Sequence, residues 1–206
     1  MRKIIAAKFA LATAALILSA CAAIVRPNFE TETIKLRPGN YELDPRHSFV
    51  HFKVSHLGLS TYIGRFNTFD AQMDFNPDEL TSTRLEGTVE MDSVDTGDEE
   101  VDELLKGGAW FDTARFPQAA FATDAVAATG DGALSIEGSL TLRGVTVAIN
   151  LQGLFNGGAD NLLTGRYTIG FSATGSFSRS AFGMDTFAGL IGDEVRLEVF
   201  AEFLKN

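Results

Sequence analysis

Six stretches of this chain alternate apolar and polar residues with a period of two, and that pattern leaves few folds open. Val50, Phe52 and Val54 alternate with Phe49, His51 and Lys53, and Leu85, Gly87, Val89 and Met91 with Arg84, Glu86, Thr88 and Glu90. The rows from Leu134 to Leu142, Val147 to Phe155, Tyr167 to Phe177 and Val195 to Phe203 repeat it. Residues two apart share one face of a strand, so each segment has one dry face to bury. Two packed sheets or a closed barrel would bury them. Gly87, Gly138, Gly153 and Gly175 fall within the inward rows, where a packed sandwich would be left with holes. In a barrel they permit curvature and leave a lumen, so the expectation is an all-β, antiparallel barrel with an interior.

One short helix breaks the pattern. Asp98, Glu99 and Glu100 place negative charge at its start, Leu104 and Leu105 are read as facing inward, and Gly107-Gly108 ends it. Gly130-Asp131-Gly132 and Gly157-Gly158 read as turns, and a further helical turn is expected near Thr186 to Leu190.

The N-terminus is a different kind of signal. Arg2, Lys3 and Lys8 precede an apolar run from Phe9 to Leu18 that is too short to span a bilayer, and Ser19-Ala20 lead into Cys21, the one cysteine. Small residues before a cysteine at the end of a signal sequence form a lipobox, so Cys21 is the expected site of acylation and membrane attachment. The expected division is a lipoprotein signal peptide over 1–20, a tether over 21–39 and the barrel domain over 40–206. Ala22 stands where aspartate would favour inner-membrane retention. The expected location is therefore the Gram-negative envelope, on the outer membrane facing the periplasm. The formal charge is −10, and removing the signal's three cations takes it to about −13, which excludes nucleic acid as a partner.

From Tyr41 onward the motifs resemble the YceI-like family, described as polyisoprenoid-binding, lipocalin-like periplasmic proteins. Tyr41 to Asp44, Arg46-His47-Ser48 and Phe52 to His56 open the resemblance, followed by Gly64-Arg65-Phe66 and Met91 to Gly97. Trp110-Phe111-Asp112, Phe116-Pro117, Gly138 to Val145, Arg179 to Met184 and Gly192 to Val195 continue it in order. The resemblance implies an extended antiparallel, lipocalin-like barrel of about eight strands with a helical segment near one end. It also implies a long-chain isoprenoid or related amphiphilic lipid held inside. The lipobox departs from the many members that are secreted freely, and Trp110 stands where a second phenylalanine is common.

Seventeen phenylalanines supply walls for such an interior. The expected ligand-binding residues are Val50, Phe52, Val54, His56, Phe66, Trp110, Phe111, Phe121, Leu140, Phe171, Phe177, Arg179 and Phe182. Arg179 has two readings, a structural clasp, which is favoured, or a headgroup contact. His47, His51 and His56 are the three histidines; parity puts the first two on one face and His56 inward. One strand does not converge three ligands, so no metal site is expected, although acidic neighbours could complete one. Gly170 to Thr174 departs from a nucleophile elbow, and the acidic residues from Asp92 to Glu100 lack calcium-loop spacing. No enzyme activity and no cofactor are expected, and a homodimer is left open. Two other readings stand beside lipid carriage: an envelope barrel without a fixed ligand, and a metal-binding periplasmic protein.

Overall fold

Every inward row of the sequence becomes a strand of one continuous antiparallel sheet. The structure, a computed structural model, describes Glu30 and residues 35–206. The expected signal peptide, Cys21 and most of the tether lie outside the described residues. The strands are β1 (Gly39–Leu43), β2 (Phe49–His56), β3 (Ser60–Phe66), β4 (Phe69–Phe75), β5 (Arg84–Glu90) and β6 (Val94–Asp95). After helix α1 (Glu99–Lys106) come β7 (Gln118–Gly130), β8 (Ala133–Leu142), β9 (Val145–Asn161), β10 (Arg166–Ser178) and β11 (Ile191–Lys205).

Three pairs of the short strands are single wall strands broken at corners. β1 and β2 both pair with β11, β4 pairs with β1 while β3 pairs with β2, and β5 pairs with β4 while β6 pairs with β3. Counting each broken strand once gives an eight-stranded, up-and-down barrel, as expected, closed where Leu43 faces Phe203. The turns Asp131-Gly132 and Arg143-Gly144 have both residues at positive φ, the two-residue geometry that matches the strands' own twist.

Helix α1 lies across one end. Asp98 caps it by accepting from the N–H groups of Glu100 and Val101, and Gly107 terminates it. Leu105 is buried, but Leu104 is exposed, contrary to expectation. Val101 and Leu105, one turn apart, face the core, and the 100° step between neighbours swings Leu104 to solvent. Gly157 and Gly158 also differ from expectation. They lie within β9, where the register shifts between Gly170 and Phe171 of β10, so they mark a bulge and not a turn.

The interior has two packed zones. Phe52, Phe66, Met91, Leu105, Trp110 and Phe182 belong to the zone at the helix end. Tyr41, Leu43, Phe75, Tyr167, Ile169 and Phe203 belong to the opposite zone. Leu36 joins the second zone and is 4% exposed, so packing starts before the boundary expected at residue 40. Gly158 makes this fit possible, since a Cβ there would stand 2.7 Å from Leu36 Cδ2. Glu30 pairs with Gly158 through backbone bonds of 2.7 and 2.9 Å, and Arg37 forks onto Asp160 at 2.7 Å on each branch. Glu30, Leu36 and Arg37 therefore pack onto this end of the barrel.

Candidate functional site: an apolar cavity inside the barrel

Between the two packed zones lies a cavity of about 290 Å³. The expected residues Val50, Phe52, Val54, Phe66, Trp110, Phe111, Phe121, Leu140, Phe171, Phe177 and Arg179 all line it. Strand parity is the reason for those on strands, because the ladder bonds fix which face each row presents; Trp110 and Phe111 reach the cavity from the turns after α1, and Arg179 from the turn after β10.

Two expected residues do not line it. His56 pairs with Ser60 and Ile191 at the last rung of β2, and its ring lies 6.4 Å from Tyr62. The irregular register between Ile191 and Val195 and the turn at Leu57-Gly58 end the inward row there, which moves His56 out of the interior. Phe182 is 2% exposed and stacks edge-on against Phe177 at 5.2 Å, so it packs behind the wall. His47 does not share a strand with His51 either; it sits in the corner between β1 and β2.

Among the described residues, Arg179 is the one basic side chain in the wall. It is 3% exposed and donates from Nε to Gly192 O (2.9 Å), from Nη1 to Met184 O (2.5 Å) and from Nη2 to Ile191 O (3.1 Å). Its guanidinium lies 5.4 Å from the centre of the Trp110 ring. This is a clasp onto backbone carbonyls. It ties the segment after β10 to the start of β11.

Other polar wall groups are engaged in the same way. Thr123 Oγ1 accepts from Leu85 N–H at 2.9 Å, where the β5–β7 ladder ends, and Thr83 Oγ1 accepts from Asn76 N–H at 3.2 Å. No buried side-chain polar atom lacks a partner among the described residues. The interior therefore selects by shape and apolar contact.

The glycines within the rows do not open the lumen as expected. A Cβ on Gly138 would stand 2.4 Å from Phe121 Cζ and 2.6 Å from Ala122 O, and one on Gly175 would stand 2.4 Å from Leu151 Cδ2. Neighbouring large side chains lean across these positions and cover the bare backbone. Only Gly87 has ordinary clearance, 3.5 Å to its nearest neighbour. The lumen comes instead from strand number and from small wall residues such as Ala71 and Ala173.

The six rows omit two wall strands: the one broken into β3 and β4, and β7, whose Ala119, Phe121, Thr123 and Val126 line the cavity. Phe69, Ala71, Met73 and Phe75 of β4 all line the cavity. Their alternation with Asp70, Gln72 and Asp74 is as regular as in the rows used, so the signal was present.

A closed eight-stranded barrel around an apolar internal cavity defines a lipocalin-like binding barrel. The chain matches the YceI-like domain over residues 41–203 and belongs to the YceI-like family. A UPF0312 protein of Yersinia pestis (strain Pestoides F) is 34% identical over 165 residues, covering 79% of this chain and 85% of that protein. The crystal structure of Burkholderia cenocepacia BcnA superposes with a TM-score of 0.71 at 24% identity, covering 78% of this chain and 98% of that one. A polyisoprenoid binding domain from Saccharophagus degradans, implicated in plant cell wall breakdown, has a TM-score of 0.62 at 17% identity. It covers 81% of this chain and 98% of that chain.

Proposed function

We propose that the barrel binds an isoprenoid-type or related amphiphilic lipid chain in its interior, without catalysis, to sequester or carry it. Attachment to the outer membrane through acylated Cys21 completes the reading. The observation that carries it is the cavity, whose wall is apolar and whose buried polar side chains, Thr83, Thr123 and Arg179, are already bonded to backbone. Family membership and the likeness to the polyisoprenoid binding domain from Saccharophagus degradans support it.

The cavity sets a scale. It is about twice the ~150 Å³ of an apolar cavity that stays dry and takes up benzene, which corresponds to roughly a dozen carbons. A prenyl chain of about two to three units fits without movement of the wall, and a longer one displaces packing at one end. Burying about ten methylene equivalents at ~0.8 kcal/mol each gives about 8 kcal/mol, near micromolar affinity before ordering costs.

The test is solvent extraction and mass spectrometry of protein purified from its own membranes. A near-stoichiometric prenyl-type chain is the expected result. Protein that carries no lipid and takes up no added geranylgeraniol would refute the proposal in favour of a structural envelope barrel.

A further inference from the structure

At the corner between β1 and β2, Asp44, His47 and Glu202 bring one ligand-capable atom each to within 4.8 Å of one another. None of the three lines the cavity. The convergence is held by backbone. Asp44 N–H donates to Glu202 O at 2.8 Å, and Glu202 N–H donates to Ser48 Oγ at 3.1 Å, which staples the corner onto β11. Asp44 Oδ1 accepts from Arg46 N–H at 3.0 Å, leaving Oδ2 to face His47 Nδ1 at 2.9 Å.

The charge of Arg46 is felt by both Asp44 and His47 at this corner. Asp44 is 7% exposed, so its carboxylate is largely withdrawn from water. The Glu202 carboxylate forms no ion pair and accepts no hydrogen bond among the described residues. Arg166, the nearby arginine of β10, is taken up by Glu42 and by the carbonyls of Leu204 and Lys205. Two carboxylates thus face one imidazole. A pocket of about 420 Å³, with His47 and Glu202 in its wall, opens beside them and leaves room for water at a further position.

We propose that Asp44, His47 and Glu202 bind a divalent transition-metal ion of the zinc type. One imidazole nitrogen and two carboxylate oxygens form a donor set that suits zinc, with bonds of about 2.0–2.2 Å and a fourth position left to water. The ion neutralises both carboxylates. Reaching bonding distance requires rotation of the His47 and Glu202 side chains, while the backbone of the corner is already in place. The competing arrangement is a simple hydrogen-bonded clasp between His47 and Asp44, in which added metal changes nothing. The proposal is independent of lipid carriage.

Protein stripped with EDTA and dialysed free of chelator is titrated with zinc chloride by calorimetry, and its melting temperature is followed in parallel. One equivalent binds, and the melting temperature rises with zinc. His47→Ala and Glu202→Gln each weaken binding at least tenfold and abolish the melting shift. His51→Ala, which removes a half-buried histidine of β2 outside the cluster, leaves both unchanged. Circular dichroism checks each variant's fold; the backbone bonds of the corner survive in both cluster variants. Wild-type protein that binds no zinc at tenfold excess overturns the proposal. So does zinc binding that both cluster variants retain in full, or that His51→Ala removes.

Discussion

Ala173 lies on β10 in the cavity wall, paired with Val199 of β11 and Gly153 of β9, where the two packed zones meet. Replacing it with tryptophan sends a large ring into the space proposed for the lipid. A buried tryptophan covers up to about 250 Å², worth at most ~6 kcal/mol at ~25 cal/mol per Å². Off-rotamer strain returns about 1–3 kcal/mol of that. Ala173→Trp should therefore fold at least as stably as wild type, and urea unfolding with an unchanged m-value checks this. For the ligand, losing about six of the roughly ten buried methylenes removes about 5 kcal/mol, more than a thousandfold in affinity. Thr174 is the next residue and faces solvent, so Thr174→Ala serves as the control. It should change stability by less than ~0.5 kcal/mol and leave binding intact. The assay is titration with geranylgeraniol, followed by tryptophan quenching for wild type and by calorimetry for both variants. A folded Ala173→Trp protein that binds geranylgeraniol like wild type would show that the chain lies elsewhere, and the reasoning from parity to cavity would fail.

Three further outcomes follow from other parts of the molecule. Arg179→Met strands three carbonyls of a buried clasp and should cost about 3–5 kcal/mol in urea unfolding, with a loss below ~1 kcal/mol contradicting the clasp. Hydrogen bonds from Asn67, Arg65 and Gly97 N–H hold the Asp95 carboxyl down from 3.8 to about 2. Because its folded value is depressed, its contribution is full above about pH 4 and is lost as pH falls towards 2, so Asp95→Asn should flatten the acid limb of the unfolding curve across that window. Cys21→Ser should leave an unprocessed precursor on gels of membrane fractions; a mature-sized protein released without detergent would contradict lipid attachment.

The alternating rows were enough to determine the strands and the sense of each face, because a strand's side-chain period is a local property of the backbone. That is why Val50, Phe52, Val54, Leu140 and Phe171 were legible as interior residues from sequence alone. Where the pattern depended on how an element ended or met a neighbour, the sequence ran out. His56 leaves the interior because its row ends against an irregular stretch of β11, and Leu104 turns outward because a two-turn helix has only one buried stripe. Gly138 and Gly175 looked like gaps until Phe121 and Leu151 were seen leaning over them from adjacent strands. Leu36 reads as tether until Gly158 provides its seat. The meeting of His47 with Glu202 was beyond sequence altogether, since those residues belong to opposite ends of the domain and come together only when β11 closes the barrel against β1. Local periodicity determined the walls; closure decided what lies between them and what converges outside.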